Sequence, residues 1–184
     1  MHLTLAKSGF KITKQAHKSL AEGIVGAAYG ITAQHIRESF VGEEKLHRLQ
    51  QVGIYGGIEF INDSASTTVN ATWYALEEMA KPVVLIAGGV NKDNDYQSLH
   101  DLMRRKVKVL ICLGTDNSHM HHELSKMVPI IINTQSMAEA VGFAKHMASA
   151  GDVVLLSPAC ASFDLFESYR DRGNQFTKAV LKSV

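Results

Sequence analysis

Three apolar runs constrain this chain more than any other feature. Residues 82–87 read PVVLIA, residues 107–113 read VKVLICL and residues 153–156 read VVLL. All are short, aliphatic and free of polar alternation. A strand of that kind is covered on both faces, as an interior strand of a parallel sheet is. A fourth run at 129–132 and an earlier one at 58–61 extend the series. Between them, residues 70–79, 96–105, 119–127 and 136–148 carry apolar residues at helical spacing, and 163–169 and 173–181 read as helices after the last strand. Strands alternating with helices of this length need crossover connections. The pattern therefore predicts an α/β fold, a Rossmann-like and mostly parallel sheet flanked by helices.

The beginning of the chain does not follow this rhythm. Residues 1–15 alternate only weakly. Residues 17–29 are rich in Ala and Gly at narrow helical spacing, and Thr32 can cap a second helix over 33–40. A polar link, GEEKLHRLQQV, leads into a strand at 51–54, and Tyr55-Gly56-Gly57 reads as a hairpin turn into 58–61. Two helices and weak strands are too little for an independent core.

Charge and cysteine content exclude several classes. Nineteen basic and 18 acidic residues give a net charge of +1, with no basic stripe suited to nucleic acid. No apolar run approaches the ~20 residues of a membrane span. The N-terminus lacks the apolar core of a signal peptide, so a cytoplasmic protein is expected. Cys112 and Cys160 lie in or beside apolar runs, as buried reduced thiols do. Cys160 has no His at a recognisable spacing to activate it as a nucleophile. His119, His121 and His122 cluster without the HExxH pattern or a Cys partner that a metal site needs. GxxxxGK[ST] is absent, as is GxGxxG after the first strand, so the chain carries no phosphate-cradling loop.

Ligands of parallel sheets bind beyond the carboxyl ends of the strands. Those ends are Asp63-Ser64, Gly88-Gly89, Gly114-Thr115, Asn133-Thr134 and Ser157-Pro158. Asp63 can position a ribose hydroxyl, hold a metal-linked water, or cap the following helix, as can Thr67 and Thr68. Lys92, among turn-forming neighbours, is either a solvated charge or a point charge for a carboxylate or phosphate. Ser162 and Phe163 stand at a loop-to-helix junction, where a ligand can meet them. Arg172 is expected in a local ion pair with Asp164 or Asp171, where Asp171-Arg172-Gly173 interrupts the last helix.

Three segments are specific enough to resemble a known family. INDSASTTVNATWYALE (61–77), LIAGGVNKDNDY (85–96) and LLSPACASFDLFESYRDRGNQF (155–176) are similar to the C-terminal part of the Mur ligases, most closely the D-glutamate-adding branch. LHRLQQV resembles the family's His-Arg segment before this domain, and the stretch from His17 resembles a helix at the end of its central domain. The resemblance implies that residues 1–49 are the end of a central ATPase domain and 50–184 an amino-acid-binding domain. It implies an ATP- and Mg²⁺-dependent ligase that adds D-glutamate to UDP-N-acetylmuramoyl-L-alanine in peptidoglycan precursor synthesis. There, phosphorylation of the acceptor carboxylate precedes attack by the amine. On this resemblance Arg48 and Asp63 contact the nucleotide, and Thr67, Lys92, Ser162, Phe163 and Tyr169 contact D-glutamate. No metal ligand or catalytic residue is expected within this chain, no cofactor is held tightly by it, and its partners are those ligands and the remaining Mur ligase domains. Two departures stand out. The family's Asn-Asp-Ser-Lys-Ala-Thr-Asn reads Asn62-Asp63-Ser64-Ala65-Ser66-Thr67-Thr68, so a lysine that contacts the D-glutamate carboxylate is Ala65. The family's asparagines after His17 are replaced by Lys18 and Ala21. The P-loop and UDP-sugar domain are absent, so this chain alone is not expected to form the amide. A non-catalytic binding module or an interaction scaffold is the alternative.

Overall fold

The computed structural model describes residues 46–90 and 94–183. The readings made for residues 1–45 and for Lys92 lie outside the described residues. A six-stranded sheet organises the rest. Strands β1 (Gln50–Tyr55) and β2 (Ile58–Asn62) form the expected antiparallel hairpin. It turns at Gly56 and Gly57, whose φ of 60° and 78° suit glycine. Strands β3 (Val83–Ala87), β4 (Val107–Leu113), β5 (Ile131–Thr134) and β6 (Val153–Leu156) are parallel to β2. The spatial order is β1-β2-β6-β3-β4-β5. The last strand thus inserts between β2 and β3. In register, Asn62 faces Leu156 and Leu156 faces Ile86, so the carboxyl ends of β2, β6 and β3 finish level with one another.

Helices cover both faces, which is why the three apolar runs lack alternation. Helices α1 (Val69–Glu78), α2 (His100–Lys106) and α3 (Ser118–Leu124) pack on one face through Leu76, Leu102, Met103 and Leu124. Helices α4 (Met137–Met147) and α5 (Tyr169–Lys182) pack on the other through Val141, Ala144, Phe176 and Val180. Caps set the starts. Thr68 accepts from Ala71 N, Ser136 from Glu139 N and Ser168 from Asp171 N.

Several boundaries differ from the sequence expectation. The helix expected at 96–105 opens as a single 3₁₀ turn, Gln97–Leu99, because Asp95 Oδ1 takes the Gln97 N–H. Strand β5 begins after Pro129, which has no N–H to give a ladder. The largest difference is at the end. Residues 163–168 are turns, not helix, and α5 runs unbroken through Asp171-Arg172-Gly173. Ser168 supplies the start, and the helix faces of Arg172 and Gly173 are both buried.

Candidate functional site

Three loops at the carboxyl ends of β2, β3 and β6 are tied into one floor. Asp63 N donates to Leu156 O at 2.8 Å, and Ala159 N to Ser66 O at 3.0 Å. Gly88 N donates to Pro158 O and Val90 N to Ala161 O, each at 2.9 Å. The close approach requires glycine: a Cβ at Gly88 would lie 2.5 Å from Leu113 O, and one at Gly89 would collide with Ala161 O. Both residues also have positive φ, 128° and 132°.

Arg172 fastens this floor from below. The sequence places it in a local ion pair. In the structure it is instead 1% exposed and reaches backbone carbonyls of all three loops. Its Nη2 donates to Ser64 O at 3.0 Å, Nη1 to Cys160 O at 3.1 Å and to Gly88 O at 3.5 Å, and Nε to Ser64 Oγ at 3.0 Å. Burial brings its pKa down to about 10, which leaves it charged at neutral pH. A planar fork with fixed donors suits this task as an ammonium would not.

Asp63 faces inward as well. It is 3% exposed, and its Oδ2 accepts from Ser157 Oγ at 2.8 Å and its Oδ1 from Leu49 N at 3.1 Å. Burial raises its pKa, opposed by the hydroxyls of Ser66 and Ser157, the Leu49 amide and the charge of Arg48. Arg48 is exposed beside it. The segment 47–49 holds its shape through two residues at positive φ, His47 at 65° and Leu49 at 42°. Ala65 N donates to His47 O at 3.0 Å, and the His47 ring packs into the space left by Gly173. His47 Nδ1 lies 2.9 Å from Asn62 Nδ2, which also donates to Gly173 O. Burial and then the charge of Arg170 hold the His47 imidazole below its usual range.

The remaining sequence-derived residues split between floor and rim. Thr67 is half-buried in the β2–α1 loop, where its N–H donates to Ala65 O at 3.0 Å. Thr68, not Thr67, caps α1. Ser162 is 2% exposed, and its carbonyl accepts from Phe166 N. Phe163, its neighbour, is 73% exposed. Tyr169 opens α5, and its carbonyl accepts from Ser64 Oγ at 2.8 Å. The loops of Asp63, Thr67, Ser162 and Tyr169 are therefore bound together, with Phe163 projecting from the rim. Both thiols are buried with raised pKa, Cys112 to about 12, which leaves them unreactive.

A cleft of about 680 Å³ lies elsewhere, at the ends of β4 and β5, lined by Thr115, Asn117, His121, His122, Asn133 and Gln135 among others. Arg48, Asp63, Thr67, Ser162, Phe163 and Tyr169 do not line it, although the strand ends Thr115, Asn133 and Thr134 named from the sequence do. Asp164 connects it to the floor by accepting from Thr115 N at 3.0 Å. Among the described residues no three His, Cys, Asp or Glu side chains gather in a way that could hold a metal ion.

Sequence reasoning gave His47 no role of its own and missed the bridging role of Arg172. The available signal was Gly173, a glycine within a helical pattern. Such a glycine marks close packing against something, here an imidazole.

Comparison with known proteins bears on this arrangement. The family model "Mur ligase, glutamate ligase domain" matches residues 47–160. UDP-N-acetylmuramoylalanine--D-glutamate ligase of Porphyromonas gingivalis is 48% identical over 166 residues, covering 90% of this chain and 37% of that protein. The protein of the same name from Christiangramia forsetii is 48% identical over 168 residues, with the same coverage. The chain thus spans about 37% of the length of these curated relatives. Among solved structures, E. coli FolC in complex with DHPP and ADP is alike in fold, with a TM-score of 0.58 at 15% identity, over 94% of this chain and 40% of that one. A bifunctional folylpolyglutamate synthase/dihydrofolate synthase with Mn, AMPPNP and L-glutamate bound aligns with a TM-score of 0.57 at 15% identity, over 97% of this chain and 42% of that one. A parallel sheet whose β2, β3 and β6 loops meet in one floor, and a family match that begins at the His47-Arg48 segment and runs through that floor, lead to one conclusion: the chain belongs to the Mur ligase family, as its glutamate ligase domain.

Proposed function

We propose that this chain is the amino-acid-delivering C-terminal part of a cytoplasmic ATP-dependent ligase that joins D-glutamate to UDP-N-acetylmuramoyl-L-alanine. The observation that carries this reading is the 48% identity, across 90% of the chain, to proteins of that name. The division into residues 1–49, the end of a central domain, and 50–184, the amino-acid domain, is part of the proposal. ATP and Mg²⁺ supply activation of the acceptor carboxylate and are held mainly by the other domains.

The same reading gives this chain's own residues their roles. Arg48 offers an exposed guanidinium to the nucleotide. Asp63 accepts from Leu49 N and Ser157 Oγ, which leaves acceptor capacity on its carboxylate for a ribose hydroxyl. Thr67, Lys92 and Tyr169 face D-glutamate. Phe163 shields it from water at the rim. Ser162 fixes the turn that carries Phe163 through its carbonyl bond to Phe166 N. Amide formation needs the amine held against the activated carbonyl, so the contribution of this domain is positioning.

Calorimetric titration of the chain with D-glutamate, L-glutamate and ADP tests the reading. Heat with D-glutamate, weaker or absent with the L-enantiomer, is expected. Silence toward both D-glutamate and ADP at millimolar concentration overturns it. Ala65, where the family carries a lysine, favours a second reading, a non-catalytic module of the same fold. D-glutamate binding without any contribution to turnover in the complete protein would support it.

A further inference from the structure

The first turn of α5 carries a cation that the sequence left without a role. Arg170 is exposed, and its guanidinium carbon lies 5.2 Å from the centroid of the Tyr169 ring. Among the described residues no carboxylate forms an ion pair with it. Its place is electrostatically poor. It is the second residue of α5, at the positive end of the helix dipole, where a cation is disfavoured. The adjacent Asp171 is occupied otherwise: its carboxylate accepts from Glu167 N and from Gln175 Nε2. An arginine kept where its own helix disfavours it, held over an aromatic face and without a carboxylate partner among the described residues, is set to meet an anion from outside.

The backbone ties the start of α5 to the loop that carries Ala65. Ser64 Oγ donates to Tyr169 O at 2.8 Å, and Arg172 holds both Ser64 O and Ser64 Oγ. Ala65 directly follows one member of that hydrogen-bonded pair, and Arg170 directly follows the other. His47 borders both, because its carbonyl accepts from Ala65 N and its ring lies within the field of Arg170. One loop therefore presents a methyl group and the facing helix start presents a guanidinium. The planar guanidinium can give two parallel N–H donors to a carboxylate. Contact with the Tyr169 face limits its rotation, which lowers the entropy lost on binding.

We propose that Arg170 binds a carboxylate of the amino-acid substrate, so that the positive charge of the site comes from the first turn of α5 and not from position 65. This rests on the D-glutamate reading above. Titration of the full 184-residue chain, followed by NMR, tests both with three ligands: D-glutamate, D-glutamine and D-isoglutamine, the amides each lacking one carboxylate. The chain is expected to favour D-glutamate over at least one amide. Arg170→Ala should weaken D-glutamate binding about ten- to hundredfold, the range for a lost charge-assisted contact, and erase that preference. The amide whose disadvantage disappears identifies the carboxylate. Arg170→Lys should keep part of the preference, and Ala65→Lys added to Arg170→Ala should recover it. An Arg170→Ala chain that binds D-glutamate with unchanged affinity and preference overturns the role of Arg170 and leaves the D-glutamate reading standing. A wild-type chain that responds to none of the three overturns both. A loss in Arg170→Ala that neither lysine restores, with a lowered melting temperature, assigns Arg170 to stability and also overturns the proposal.

Discussion

Arg172 and His47 are the two side chains on which the floor of the site depends. Arg172 replaces solvent for carbonyls from three loops that have no other common partner. Truncation would leave those carbonyls buried and unpaired and would open a cavity. Arg172→Ala should therefore lose at least about 3 kcal/mol of unfolding free energy by urea titration, and Arg172→Lys should recover little of it. His47 predicts a pH dependence. Its folded pKa lies below 6.5 because burial, and then the charge of Arg170, disfavours the imidazolium. The unfolded chain therefore takes up this proton first as pH falls, and stability drops as pH goes below about 6.5. Asp63 acts in the opposite sense. Its raised pKa makes its contribution largest below 3.8 and smaller as pH rises through the folded value. The urea midpoint should fall between about pH 7.5 and pH 5.5, and His47→Asn should flatten that slope. An unchanged slope in His47→Asn would mean that other histidines carry it.

At the scale of elements, α5 couples the fold to the site. It buries Phe176 and Val180 against the sheet and, one turn nearer its start, aims Arg172 and Gly173 at the loops. Gly173 carries two opposed effects. Replacing a mid-helix glycine by alanine gains about 1 kcal/mol in propensity. Here the added Cβ would run into the His47 ring, which Asn62 and the backbone bond to Ala65 hold in place. Overpacking of that kind costs about 1–3 kcal/mol, so Gly173→Ala should be net destabilising. The double variant with His47→Ala should be more stable than the sum of the single changes implies, which a double-mutant cycle would measure. The same element shows why its limits were not legible. A glycine two residues after an aspartate in a polar stretch is a stop signal by local rules. Only the imidazole packed against it explains why the helix continues.

At the scale of the whole molecule, the proposed place of the chain in an ATP-dependent ligase puts Lys92 to a test. If Lys92 holds a carboxylate of D-glutamate, Lys92→Ala in the complete enzyme should raise KM for D-glutamate and leave KM for ATP unchanged. An unaltered KM for D-glutamate would remove Lys92 from the site. The parallel sheet was legible in the sequence, because PVVLIA, VKVLICL and VVLL can only be strands covered on both faces, and their spacing demands crossovers. The hairpin was legible from Gly56-Gly57, whose positive φ few other residues tolerate. The loop ends that carry Asp63, Ser64 and Ser162 were legible because ligands of such sheets meet the carboxyl ends of strands. The order β1-β2-β6-β3-β4-β5 was not, since nothing local in VVLL says between which strands it inserts. That insertion brings 157–168 beside 63–68, turns Asp63 and Ser162 inward, leaves Phe163 outside and ties the start of α5 to Ser64. Periodicity and turn chemistry act over a few residues and are written in the chain itself. Contacts such as Arg172 to Ser64, 108 residues apart, arise only when the sheet closes, and the tertiary structure alone decides them.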